Sequence, residues 1–176
     1  MANDMTQTVT TGEGRAYVFV AVDPCNGEIV GIHAAHSATR FEALEPVRQG
    51  VAIHFGAIAA APAKGLTLRH DHGSNYMADD FQHEIAFRGI ESSPSFVRQP
   101  EGDGVAERAI RTLKENLLWV RSDATVEALR QGLLDFAALY NAKWLRERHG
   151  YKTPNQIRAE QRGVEISAGQ EHQMAA

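Results

Sequence analysis

Cysteine is almost absent from this sequence, since Cys25 is the only one among 176 residues. A single cysteine cannot form a disulfide within the chain, and it cannot provide a thiolate cluster for zinc. The chain also has no run of about eighteen apolar residues, so it predicts no transmembrane helix. Residues 1–4 lack the basic and apolar regions of a secretory signal. These absences predict a soluble protein of a reducing, intracellular compartment, with no membrane partner.

Excess positive charge is missing as well. The chain has 18 Lys and Arg against 22 Asp and Glu, which gives a formal net charge of -4. Affinity for the backbone of nucleic acids comes from Lys and Arg that neutralise phosphates. The composition therefore counts against a free-standing DNA-binding protein, and any contact with DNA has to be local.

The length suits one domain, because about 150 residues are enough to build a single proper core. Three β-rich segments open the chain, at 2–9, 15–22 and 28–35, and the turn-like segments 11–14 and 24–27 separate them. They predict an antiparallel meander of three strands.

The rest of the chain alternates helical and extended patterns. Thr39 and Glu42 form a capping-box pattern at the start of a helix that reaches Ile58, and Pro46 predicts a kink or short break in it. The later elements, in chain order, are a short strand at 66–70, a helix at 77–88 and a short strand at 90–92. A flexible stretch at 92–104 that overhangs the site follows, and then helices at 105–120 and 126–144. Periodicity alone indicates an α/β or α+β fold.

Three carboxylates stand in short, distinctive contexts along the chain. Asp4 lies in Asn3–Thr6, Asp71 directly follows the short strand in His70–Tyr76, and Glu107 lies on the helix in Gly102–Lys114. Ligands collect at the carboxyl ends of strands in open α/β sheets, which is where Asp71 is placed. Three carboxylates are enough to hold two Mg²⁺ ions, which prefer oxygen ligands.

At these residues the chain resembles the catalytic core of the retroviral-integrase superfamily and, within it, the transposases of bacterial insertion sequences. The segments Val22–Gly31 and His149–Pro154 extend the resemblance over roughly residues 1–160. The resemblance implies an α/β, ribonuclease-H-like fold with a mixed five-stranded sheet: three antiparallel strands, then parallel additions, flanked by helices. It also implies a catalytic core at 1–160 and an upstream helix-turn-helix DNA-binding domain that is not in this chain. The segment 161–176 has no periodicity toward its end and is predicted to be a flexible tail.

The family's activity supplies further expectations. Asp4 and Asp71 are expected to bind one Mg²⁺ ion and Asp4 and Glu107 a second, with Mn²⁺ as a substitute. The reaction is cleavage of DNA at the ends of a mobile element and transfer of the freed strand to target DNA. The resemblance implies a homo-oligomer, at least a dimer, that works in the bacterial cytoplasm on the nucleoid.

Basic side chains near the third acid are candidates for binding the DNA end. Arg111 and Lys114 share a helix face with Glu107, and Arg108 is adjacent to it. The alternative for such residues is an ordinary solvated helix face. His72 is placed near the phosphate, whereas strand alternation turns His70 and His72 away from Asp71 and argues against a His/Asp metal site.

Asp103 occupies a position where the family commonly has Asn, four residues before the third acid. A cap for the following helix is the interpretation we favour over a carboxylate that raises a neighbouring pKa. Two other functions remain open at this point: a nuclease or resolvase of the same fold that only cuts, and a non-catalytic interaction remnant.

Overall fold

An antiparallel meander opens the fold in the computed structural model, which describes residues 1–56, 61–94 and 104–163. Its strands are β1 (Ala2–Thr10), β2 (Gly14–Val22) and β3 (Ile29–Ala35). β1 pairs with β2, and β2 pairs with β3, both antiparallel. The meander predicted from the three β-rich segments is confirmed.

Two further strands extend the sheet beyond β1. β4 (Thr67–His70) pairs parallel with β1, and β5 (Glu91–Pro94) pairs parallel with β4. The order across the sheet is β3-β2-β1-β4-β5. This confirms the predicted mixed five-stranded sheet, and it makes β1 the strand where antiparallel and parallel pairing meet.

The first helix, α1 (Arg40–Phe55), begins as the sequence predicts. The Thr39 side chain accepts a hydrogen bond from the backbone N–H of Glu42 at 3.4 Å. Of the kink or short break predicted at Pro46, the break does not occur, because the helix is continuous through it. The helical turn at Pro46 packs closely on β3 at Gly31. A Cβ at residue 31 would lie only 2.0 Å from the Pro46 carbonyl oxygen.

The helical segment after β4 differs from its prediction at 77–88. It begins earlier and divides into α2 (Ser74–Met77) and α3 (Asp79–Phe87). Ala78 between them is extended, with φ -66° and ψ 140°. That conformation opens α3 with Asp79 and Asp80 in its first turn, where acidic side chains interact favourably with the helix dipole.

The remaining elements are helical. α4 (Gly104–Leu113) continues into a π-helical turn, Lys114–Leu118, and α5 (Val126–Lys143) follows. A 3₁₀ turn, Glu147–His149, precedes α6, which occupies 154–163. None of the described helices is long and apolar enough to span a bilayer. Most of the stretch predicted to be flexible, 95–103, and most of the predicted tail, 164–176, lie outside the described residues.

Long-range ion pairs attach α6 to the turn between β2 and β3. The Arg158 guanidinium donates to Glu28 Oε2 at 2.7 Å and also to the carboxylate of Asp23. Asn26 in the same turn donates to Gln161 at 3.3 Å. Residues 161–163, which the sequence prediction gave to the tail, are therefore part of a docked helix.

The sheet separates two apolar clusters. Alternate residues of β2 (Ala16, Val18, Val20 and Val22) pack beneath α4 and α5 in the first cluster. Phe19 faces the other side and packs with residues of α1 and α3 in the second. Because successive strand residues point to opposite faces, this alternation also fixes the face on which each side chain of β1 lies.

Candidate active site

Asp4 lies on the face of the sheet that α4 covers. It stands opposite Val20 in the β1–β2 register, and Val20 belongs to the apolar cluster beneath α4 and α5. Directly opposed residues on antiparallel strands share a face. The neighbouring residue, Met5, packs against the cluster on the other side. The half-buried Asp4 carboxylate is therefore directed toward the α4 side of the central strand.

Parallel pairing brings Asp71 to the same end of the sheet. Ala2 pairs with Arg69, and the Arg69 N–H donates to the Met1 carbonyl at 2.8 Å. Asp4 lies two residues beyond Ala2, just as Asp71 lies two residues beyond Arg69. Two acids that are 67 positions apart in sequence thus reach the same level of adjacent strands.

Backbone hydrogen bonds orient both of these acids. Asp4 Oδ1 accepts from the N–H of Met5 at 2.7 Å, and Asp71 Oδ1 accepts from the N–H of Gly73 at 2.6 Å. Both contacts fix the direction in which the carboxylate points.

Glu107 completes the set from above the sheet. It lies in the first turn of α4, which is anchored through Ala109, Ile110 and Leu113 in the first apolar cluster. Asp4, Asp71 and Glu107 line one pocket of about 220 Å³, together with Ala2, Asn3, Arg69 and Ala106. The fold therefore brings the three sequence-predicted acids to a common pocket.

The donor types in this pocket fit a hard divalent cation, because carboxylate oxygens are the ligands that Mg²⁺ and Mn²⁺ prefer. The side chains do not form a ready coordination shell as placed. Among the described residues, no three His, Cys, Asp or Glu side chains are grouped closely enough to hold a metal ion. Metal binding at the pocket would therefore require the carboxylate side chains to move together.

His70 is structural. It is buried, it stacks on Tyr76 with ring centroids 5.4 Å apart, and its Nδ1 lies 2.7 Å from the Asp71 carbonyl oxygen. A carbonyl only accepts, so Nδ1 is the donor, and Nε2 pairs with Ser92 Oγ at 2.9 Å. Burial lowers the pKa of His70 and keeps the ring neutral. The expectation that His70 turns away from Asp71 agrees with this geometry.

The acids also act on a buried tyrosine. The Tyr76 hydroxyl is buried and has no hydrogen-bond partner among the described residues. Burial, with smaller contributions from the charges of Asp4 and Asp71, raises the pKa of Tyr76 above its ordinary range. Tyr76 is therefore neutral and packs within the second apolar cluster.

Some curated proteins are similar to this chain in sequence. No family model matches the chain. A putative transposase InsD of insertion element IS2E from Escherichia coli K12 is 26% identical over 144 residues, which cover 81% of this chain and 65% of that protein. The InsD transposase of the IS2A/D/F/H/I/K elements of Escherichia coli is also 26% identical, over 81% of this chain and 47% of its own length. The chain spans about half the length of most of these curated relatives.

Solved structures agree with the topology. The catalytic core domain of BIV integrase matches with a TM-score of 0.64 and 22% identity, over 94% of this chain and 97% of that one. The fold is that of an integrase catalytic core. The HTLV-2 integrase core, solved in complex with magnesium in a trimeric form, matches with a TM-score of 0.61 and 18% identity, over 89% and 93% of the two chains. The resemblance to insertion-sequence transposases and integrase cores is confirmed.

The predicted DNA-binding residues do not line the acidic pocket. Arg111 is exposed and pairs with Glu115 at 2.8 Å, and this contact raises the pKa of the Arg111 guanidinium. Lys114 opens the π-helical turn. Arg108 is exposed and lines a neighbouring cleft, and His72 is exposed beyond β4. Asp103 lies outside the described residues.

One pocket residue escaped the sequence prediction. Arg69 lines the acidic pocket, and within the described parts of the chain no carboxylate lies within ion-pairing distance of its guanidinium. The sequence contained a usable signal, since residues two apart on a strand share a face and Arg69 precedes Asp71 by two.

Proposed function

We propose that this chain is the catalytic domain of a DNA transposase that cuts phosphodiester bonds at the ends of a mobile element and joins the freed strand to target DNA. The observation that carries the proposal is the convergence of Asp4, Asp71 and Glu107 on one pocket from a central strand, a neighbouring strand end and a covering helix. The similarity to InsD transposases supports it.

Two displacements at phosphorus, a hydrolysis and then a transesterification, account for this activity. In the first, a water oxygen attacks phosphorus and the bond from phosphorus to the 3′ oxygen breaks, which leaves a 3′-hydroxyl and a 5′-phosphate. In the second, that 3′-hydroxyl attacks a target phosphodiester and releases the target's own 3′-hydroxyl. The cut consumes one phosphodiester bond. The joining step breaks one phosphodiester bond and forms another, so the number of these bonds does not change.

Within this proposal the three acids hold two Mg²⁺ ions, with Mn²⁺ as a substitute. The resemblance to integrase cores implies that Asp4 would contribute to holding both ions. Two bound metal ions would stabilise the attacking and leaving oxygens of an in-line displacement. Arg69 supplies a guanidinium at the edge of the same pocket, where it can donate to a phosphate oxygen. The integrase core of HTLV-2, which was solved with magnesium, supports the choice of ion.

DNA contacts belong to the surface around Glu107. Arg108, Arg111 and Lys114 extend from the third acid along one helix, and His72 follows the second. We assign them to the phosphates of the element end, since this chain's net charge leaves no general basic surface. HTLV-2 integrase cores of dimeric and trimeric form support an assembly of at least two copies. We place its work on the nucleoid in the bacterial cytoplasm, and the Escherichia coli origin of the relatives supports a bacterial setting.

A labelled duplex oligonucleotide tests the proposal when it is incubated with the protein and Mg²⁺ or Mn²⁺. Asp71→Asn should abolish both cutting and joining, because it removes one charge from the pocket and keeps the acceptor for Gly73. Asp79→Asn is the matched control, since Asp79 is an exposed acid of α3 outside the pocket. Cutting without joined product would identify a nuclease. Equal activity of Asp71→Asn and the parent would remove Asp71 from the site.

A further inference from the structure

A larger cleft, of about 900 Å³, lies beside the acidic pocket. The start of α4 forms one side of it, and the segment between α5 and α6 forms the other side. We call it the aromatic–arginine cleft, and its lining residues are Gly104, Val105, Arg108, Trp144, Leu145, Arg146, Glu147, Arg148 and Tyr151. Arg108 follows Glu107 directly in sequence, so the cleft adjoins the third acid.

Two aromatic side chains in the cleft are available for stacking. Trp144 stacks on Tyr140 with ring centroids 5.5 Å apart and an interplanar angle of 19°, yet it remains 38% exposed. The Tyr140 ring therefore covers one face of the Trp144 indole, and the exposed part of the indole is open to a ligand. Tyr151 also lines the cleft and is 63% exposed.

Positive charge accompanies these rings. Arg146 donates to the Tyr140 hydroxyl at 3.0 Å, and Arg148 donates to the Cys25 carbonyl at 2.5 Å. Both acceptors are neutral, so these contacts fix the guanidinium groups without cancelling their charge. Of the four charged residues that line the cleft, three are arginines and one is Glu147. The cleft is thus a positive site in a chain of net negative charge.

The backbone of Tyr151 is strained. Its φ of 61° is in the left-handed region, which residues other than glycine adopt only at a cost in free energy. Gly150 directly before it has φ 65° and absorbs the same turn without a Cβ. A bulky exposed ring at such a position is costly for the fold, and residues held in this way are concentrated at binding and catalytic sites.

We propose that the aromatic–arginine cleft binds an unpaired nucleotide of the DNA strand that enters the acidic pocket. The base stacks on Trp144 and Tyr151, and Arg108 binds the adjoining phosphate. Aromatic platforms with basic residues are the common means of binding single strands, because every base offers a π-face. An apolar peptide would gain nothing from three arginines. The inference rests on the proposed function, and it adds that the substrate strand is locally unpaired next to the reacting bond.

Trp144 can report its own ligand. The chain has two tryptophans, so Trp119→Phe leaves Trp144 as the only indole. In that background, a thymidine oligonucleotide should quench Trp144 emission saturably, and a blunt duplex of equal length should quench it less. Replacement of Trp144 by Leu should weaken binding of a labelled thymidine oligonucleotide, measured by anisotropy, by about 5- to 150-fold, the range expected for one stacked base. Unchanged emission or unchanged anisotropy would overturn the proposal.

The strain at residue 151 provides a second test with a matched control. Tyr151→Gly and Ala61→Gly both relieve a positive φ, since Ala61 has φ 56°, but Ala61 does not line the cleft. Both variants should melt near the parent temperature, and only Tyr151→Gly should lose affinity for the oligonucleotide. If both bind like the parent, Tyr151 is not a stacking residue and the proposal fails.

Two controls separate this inference from the proposed function. Asp71→Asn should lose cutting and keep the quenching of Trp144. Quenching in a parent protein that never cuts DNA would contradict the transposase function and leave the cleft intact as a strand-binding site. Trp144 emission that changes with protein concentration in the absence of DNA would show an interface between two copies, and that would overturn the cleft assignment.

Discussion

Gly73 donates its N–H to Asp71 Oδ1 at 2.6 Å, and a Cβ at residue 73 would lie 2.8 Å from the same oxygen. Gly73 has φ -57°, which any residue can adopt. The glycine is therefore required by the close approach of a carboxylate and not by its backbone conformation.

Gly73→Ala should consequently disturb Asp71 without unfolding the protein. The added methyl displaces the carboxylate from the pocket, so we expect metal-dependent cleavage to fall at least about tenfold while the melting temperature stays near that of the parent. Gly163→Ala, whose Cβ would meet nothing within 4 Å, is the control. Full activity in Gly73→Ala would show that the position of the Asp71 carboxylate is not critical.

Arg111 and Lys114 should matter for DNA and not for the fold. Arg111 is 78% exposed in its side chain and pairs only with a neighbour on the same helix among the described residues. Replacing both by Ala should leave the melting temperature nearly unchanged. Each duplex phosphate contact that is lost should reduce the salt slope of DNA binding by about 0.9. If affinity and slope are both unchanged, these residues form an ordinary solvated face.

Protonation of His54 should destabilise the fold below neutral pH. Burial lowers the pKa of His54, Glu28 and Asp23 act to raise it, and Arg158 and Arg162 act to lower it further. A histidine whose folded pKa is below its unfolded value of about 6.5 takes up protons more readily when unfolded. Stability should therefore decline as pH falls below about 6.5, and burial of His70 contributes in the same direction.

Thermal melts between pH 7.5 and 5 measure this effect. His54→Gln should show a shallower decline than the parent, while His36→Gln, at a histidine whose side chain is 61% exposed, should follow the parent. A parallel decline in all three proteins would show that His54 does not contribute to the pH dependence.

Gly31→Ala should destabilise the fold directly. A Cβ at residue 31 would lie 2.0 Å from the Pro46 carbonyl oxygen, which is backbone and cannot rotate away. Separation of β3 from α1 by such overpacking typically costs about 1–3 kcal/mol, which chemical denaturation can measure. A loss similar to that of Gly163→Ala would mean that α1 shifts freely on the sheet.

Local patterns were sufficient where local chemistry decides the structure. The β-rich composition of 15–22 predicted β2, the Thr39–Glu42 pattern predicted the start of α1, and the short strand before Asp71 placed that acid at a strand end. Ala78 was missed, because the extended residue between α2 and α3 follows no turn signal. The acids were predicted to share a pocket through the resemblance, whereas Arg69 was overlooked, although its spacing of two from Asp71 places both residues on one strand face.

The segment after α5 was the hardest to predict, for a physical reason. Its position depends on Arg158 and on partners more than a hundred residues earlier, which no local period reveals. Similarly, the strained Tyr151 is inconspicuous in sequence, since its significance comes from its φ and from the cleft that it lines.

The docking of α6 has a practical consequence for anyone who shortens this protein. A truncation after α5 would look safe, because the sheet and all three acids precede it. It would nevertheless leave Asp23 and Glu28 as adjacent anions without Arg158, at the turn that joins β2 to β3. It would also remove Tyr151 and the arginines around it. The smallest fragment that keeps these ion pairs at the β2–β3 turn should therefore include α6.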